Sequence, residues 1–64
     1  MIVEGSKVHW HTEPELKGIV LSMSRWRRLA IIEVTNSPSY STVKPGLIIP
    51  VHTESLREYA AESN

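Results

Sequence analysis

Apolar and polar residues alternate with a period of two over most of the chain, which is the signature of half-buried strands. The clearest case is 7–11, where Val8 and Trp10 interleave with Lys7, His9 and His11. Gly5 and Ser6 punctuate its start, and Pro14 inside residues 12–17 marks a loop, since proline has no N–H for a central ladder. After Gly18, residues 19–23 are β-branched and apolar enough for a second strand. Residues 24–28 then break the apolar run with three arginines around Trp26, which predicts a hairpin tip. Residues 29–34 form the strongest strand, with Leu29 and Ile31 on one side and Ala30, Ile32 and Val34 on the other. Apolar residues on both sides suit a strand curving within a closed sheet.

The second half is more irregular. Residues 35–46 hold two prolines, a glycine and an asparagine among serines and threonines, so they read as a long loop. Residues 47–49 predict a short strand ended by Pro50, and Val51 and His52 lead into 53–55. Two readings follow from there. Ser55 with Glu58 matches a capping box, which would start a short helix; a tight turn at 53–55 followed by a closing strand over 56–59 is favoured, because a helix under three turns is weak alone. The expected architecture is a single β-domain over 1–59 and a frayed tail over 60–64.

The length, 64 residues, makes closure attractive: a chain this short buries only about 60% of its unfolded surface, so its core is thin. There is no cysteine to staple it. At 41% hydrophobic residues, the chain is too apolar to be disordered. No apolar run is long enough for a membrane span or a leader peptide, which gives a cytoplasmic expectation. Seven basic residues balance seven acidic ones, all Glu. The balance hides a split. Residues 1–32 carry five basic residues against three glutamates, a net of +2, and residues 33–64 carry the opposite net of −2.

The succession of strand, long loop, Gly18, strand, hairpin, strand, loop, short strand, tight turn and last strand resembles an SH3-like five-stranded small β-barrel. The residues that carry the resemblance are Gly5-x-Lys7-Val8, Lys17-Gly18-Ile19-Val20, Ala30-Ile31-Ile32-Glu33, Pro50-Val51 and Leu56-Arg57-Glu58. Within this superfamily the pattern is similar to retroviral integrase C-terminal domains, which implies DNA binding. It is also similar at its first strand and at Pro50-Val51 to plasmid-encoded type II dihydrofolate reductases. That family relies on a Val-Gln-Ile-Tyr stretch, and Leu47-Ile48-Ile49-Pro50 stands here instead, so the activity is not carried over. The first strand also resembles a photosystem I peripheral subunit of the same fold, whose basic docking residues have no counterparts in this chain.

The candidate chemistry is that of recognition. Arg25, Trp26, Arg27 and Arg28 bring three guanidiniums and an indole to one tip. Arginine and tryptophan are enriched at protein-interface hot spots, and the same group can pair with phosphates and stack on a base. The bland alternative is a solvated turn with Trp26 lying over the end of the barrel. Tyr40, central in the 35–46 loop, is a second recognition candidate, with a plain linker as its alternative. His9 and His11 share a strand face, and His52 could join them, but two imidazoles without a completing Asp or Cys read as ordinary surface residues. Trp10 is expected in the core and Tyr59 over the closing strand, which leaves too few aromatics for a cation cage. With no Asp, no nucleophile elbow and three scattered glycines, the chain reads as a non-enzyme without cofactor or metal. The expected partner is another protein or a second copy, with nucleic acid as the alternative. Self-association would relieve the thin core.

Overall fold

The computed structural model describes residues 2–59. Five strands form one antiparallel sheet: β1 (Lys7–Trp10), β2 (Lys17–Ser24), β3 (Leu29–Asn36), β4 (Ile48–His52) and β5 (Leu56–Glu58). A single 3₁₀ turn, Thr53–Ser55, joins the last two. The order across the sheet is β4-β3-β2-β1-β5. The closing strand at β5 settles the choice between strand and helix for residues 56–58, and the tail expected over 60–64 lies outside the described residues.

The expected closed barrel is corrected to an open sheet, because no ladder joins β4 to β5. β5 has only three residues, and β4 carries Pro50 on its free edge. The sheet still curls. Val8, Val20, Ala30, Ile32 and Leu56 come from four different strands and are at most 2% exposed, with no helical layer over them among the described residues. Only a sheet bent over its own inner face buries side chains that far. Trp10 and Met23 flank this core, as do Ile2 and Val51.

The bend is built into β2. Its first half pairs with β1, its whole length with β3, and the register slips between Val20 and Ser22. An extra residue in one strand sharpens the local twist. It also resets the alternation, so that Val20 and Met23, three apart, both face inward while Leu21 is exposed. A second slip lies between Lys17 and Gly18, opposite residues 34–36 of β3. This is why β2 starts at Lys17, which the sequence assigns to a loop, and why β3 runs on through Thr35 and Asn36.

Pro50 lies inside β4 instead of ending it. Val34 N–H donates to Leu47 O at 2.9 Å and Thr53 N–H donates to Arg28 O at 2.8 Å. Antiparallel bonding alternates, so these two bonds fix even-numbered β3 residues against odd-numbered β4 residues. The nitrogen of Pro50 therefore points to the open edge, where no ladder bond is lost. At the other side of the sheet, Tyr59 N–H donates to Lys7 O at 3.1 Å. The Tyr59 ring lies 6.1 Å from that of His9 and 5.3 Å from the Lys17 ammonium.

Candidate interaction surface

The tip at residues 25–28 is a four-residue hairpin loop closed by the Ser24–Leu29 pair. Loops of this length are built around a type I turn, and the chain must then reverse hand to re-enter the sheet. Arg28 does this at φ 54°, the left-handed region, which costs a non-glycine residue about 1–2 kcal/mol. Two hydrogen bonds hold the turn: Arg27 N–H to Ser24 Oγ at 3.4 Å, and the Thr53 N–H bond to Arg28 O. The turn is thus tied to β2 and to residue 53 while its side chains are exposed. Trp26 is 97% exposed, so it does not lie over the end of the sheet as the bland alternative has it. Almost none of the indole is covered by the described residues, so its surface is open to a partner. Arg25, Arg27 and Arg28 are also exposed. Beside the tip an open cleft of about 340 Å³ is lined by Val3, Glu4, Met23 and Arg25.

Tyr40 is 74% exposed, but it lies at the opposite end of the sheet. β3 separates the two, and its eight residues span about 25 Å. The five candidate contact residues therefore form one cluster of four and one distant tyrosine. The tyrosine's loop is tied to its neighbour. The Tyr40 hydroxyl donates to Glu13 Oε2, and Asn36 Nδ2 donates to Glu15 O at 2.9 Å, so the loop after β3 is tied to the loop between β1 and β2. Inside the loop, Ser41 N–H donates to Pro38 O, and Gly46 turns the chain at φ 95°.

The carboxylate of Glu13, first through the hydrogen bond and then through its charge, holds the Tyr40 phenol above its ordinary value of 10.0; desolvation and Glu15 push the same way. A raised folded-state value means that the bond is fully present below pH 10.0 and is lost as pH rises through the folded-state value. In a Tyr59→Phe background, where Tyr40 is the one tyrosine left, ultraviolet titration of the phenol is expected to show its transition moving down on Glu13→Gln. An unmoved transition would show that Glu13 does not hold the phenol.

The three histidines do not come together. His9 pairs with Arg57 of β5, His52 pairs with Leu29 at the tip end of β4, and His11 lies beyond β1. Among the described residues no group of three potential metal ligands forms, and no helix is long and apolar enough to cross a membrane. Trp10 packs against the core and Tyr59 against His9 and Lys17, while Trp26 and Tyr40 sit at opposite ends, so the aromatics build no cage.

Sequence reasoning missed one surface. The outward side of β2, β3 and β4 carries Ile48, 56% exposed, and Leu21, 43% exposed, around the half-buried Leu29 and Ile31. Its signal is the apolar character of both sides of 29–34, which the sequence reading assigns to a strand curving within a closed sheet. No protein-family model, no curated protein and no solved structure matches the chain.

Proposed function

We propose that this chain is a small, non-catalytic interaction module of the SH3-like kind that binds another protein through the tip at residues 25–28, with Tyr40 as a separate contact. Support for the SH3-like reading comes from the strand order, the bent and bulged β2 shared by both halves of the sheet, and the 3₁₀ turn before the last strand. The observation that carries the binding reading is Trp26, exposed almost completely on a hairpin loop closed by the Ser24–Leu29 pair and bonded through Arg28 O to Thr53 N–H. A rigid loop that presents an aromatic loses little entropy when a partner covers it. Arginines beside a tryptophan are the residue types that dominate interface energies.

The exposed arginines support a second reading, in which the same tip binds a nucleic acid. Neutral net charge weighs against it, since three guanidiniums without a wider basic surface give weak and salt-sensitive binding.

Capture by the immobilised chain from its native host, with protein and nucleic acid both analysed, separates the two. A protein partner is expected to bind Trp26→Ala about 30-fold more weakly, the loss of a typical hot spot. A partner retained equally by wild type and Trp26→Ala would refute the tip as the binding site. Nucleic acid held at low salt and released by replacing all three arginines with alanine would favour the second reading.

A further inference from the structure

We infer that the outward face of β5, β1 and β2 is a binding surface for a single-stranded nucleic acid, with Lys7, Lys17 and Arg57 meeting its phosphates around the ring of Tyr59. The inference does not rest on the tip, which lies at the far end of β2.

Register assembles the face. β1 pairs with β2 on one side and with β5 on the other, so His9 stands between Lys17 and Arg57 in one row. Val8, Val20 and Leu56 turn inward, which by alternation sends Lys7, His9, Lys17, Ile19 and Arg57 outward. The Tyr59 N–H bond to Lys7 O continues the β1–β5 register, so Tyr59 sits beside Lys7 in the next row, with Ile19 on the other side of the lysine. Two contacts place these side chains together. The Lys17 ammonium lies 5.3 Å from the centre of the Tyr59 ring, and the His9 ring lies 6.1 Å from it.

The fold concentrates charge that the sequence disperses. Lys7 and Lys17 belong to the basic half of the chain and Arg57 to the acidic half, and β5 carries the arginine across to join them. The six outward positions hold three cations, a histidine, a tyrosine and Ile19, and no carboxylate. Carboxylates stand around the face. Glu33 lies beyond Ile19 on β3, Glu15 lies in the loop before Lys17, and Glu58 is on the other side of β5, where it accepts from the Ser6 hydroxyl at 3.2 Å. The contacts that Lys17 and Arg57 make leave their charge in place. Lys17 meets a ring, and the Arg57 guanidinium donates to Glu54 O at 3.0 Å and to Leu56 O at 2.9 Å.

This arrangement selects its occupant by chemistry. Arg57 and Lys17 are two strand spacings apart, about 10 Å, and an aromatic ring lies among the cations. A single strand can pair its phosphates with such a group while an unstacked base meets the ring. A duplex keeps its base faces inside and brings only its backbone, and an acidic peptide has no flat face to set on the tyrosine. Three phosphate contacts on a neutral chain give modest and salt-sensitive affinity.

Fluorescence anisotropy tests this with the intact chain and a labelled oligothymidine of about 15 nucleotides, which is expected to bind at low salt with a midpoint of about 10 µM. The logarithm of affinity is expected to fall against the logarithm of salt with a slope of about −2, the value for three contacts to a single strand. Replacing Lys7 and Lys17 together by glutamine is expected to bring that slope to about −0.7 with the fold kept, as near-ultraviolet circular dichroism checks. Arg57→Lys keeps the charge and holds the slope near −2. Tyr59→Leu weakens oligothymidine binding about tenfold, the loss of one stacked base. Alanine at Arg25, Arg27 and Arg28 leaves the binding as it is. No binding at low salt, a slope that the lysine substitutions do not move, or binding lost with the tip arginines instead would each overturn the inference. So would a duplex or a polyglutamate peptide bound more tightly than the single strand.

Discussion

Gly18→Ala is expected to lower the melting temperature by roughly 10 °C, from a cost of about 1–3 kcal/mol for overpacking and about 4–8 °C per kcal/mol in a domain of this size. The reason is a close approach. A Cβ added at Gly18 would stand 2.4 Å from Ile32 Cγ2 and 2.7 Å from the carbonyl oxygen of Glu33. The first contact is with a side chain locked in the core, and the second is with backbone, so neither gives way cheaply. Gly18 lies between Val8 of β1 and Val34 of β3, both turned inward, and the missing side chain lets β3 fold down over β2 at the register slip. Thermal denaturation followed by circular dichroism measures the effect. A melting temperature within about 2 °C of wild type would mean that the strands separate there at little cost.

Ile32→Ala is expected to leave most of the chain unfolded at 25 °C. Among the described residues Ile32 is, with Leu56, one of the largest fully buried side chains, and truncating a buried Ile costs about 2–5 kcal/mol when the cavity does not collapse. A single core in fewer than about 70–80 residues supplies no more than roughly 3–5 kcal/mol of stability in all. The loss therefore approaches the whole. Ile31→Ala, one residue away on the opposite face and half-buried, is the control and is expected to lower the urea midpoint much less than Ile32→Ala does. Urea melts of the two variants decide the matter; an Ile32→Ala protein with a cooperative transition near wild type would show that the core repacks around the void.

Much of this fold was legible because its strands obey local rules. The inward alternation Ala30, Ile32, Val34 needs no knowledge of the rest of the molecule, and neither do the arginines that break the apolar run at the tip. Three features resisted reading because they depend on partners distant in sequence. The bulge at Leu21 shifts the apolar phase by one, so residues 19–23 look apolar throughout instead of divided into two faces. Pro50 reads as a stop unless β4 is known to be an edge strand with its odd-numbered amides turned inward. The failure of β4 and β5 to meet is a property of the whole sheet, and no single segment carries it.

The candidate site divides in the same way. That residues 25–28 form an exposed turn follows from their own composition. That Trp26 finds no surface to cover does not, since what lies beside the tip is set by segments distant in sequence. Tyr40 was singled out with no means of seeing that β3 carries it to the far end of the sheet, or that Glu13 waits there to accept its hydroxyl.

The pairing of β5 with β1 also sets a timetable for folding. Leu56 is 2% exposed and reaches the core only on that short last strand, opposite Trp10 from the first. The β2–β3 hairpin closes through four residues and forms early, whereas the β1–β5 ladder must close a loop that contains the entire middle of the chain. Until residue 56 has been synthesised, the inner face of the sheet has no complete cover. A nascent fragment ending before β5 is therefore a natural client for whatever shields apolar surface in its cell.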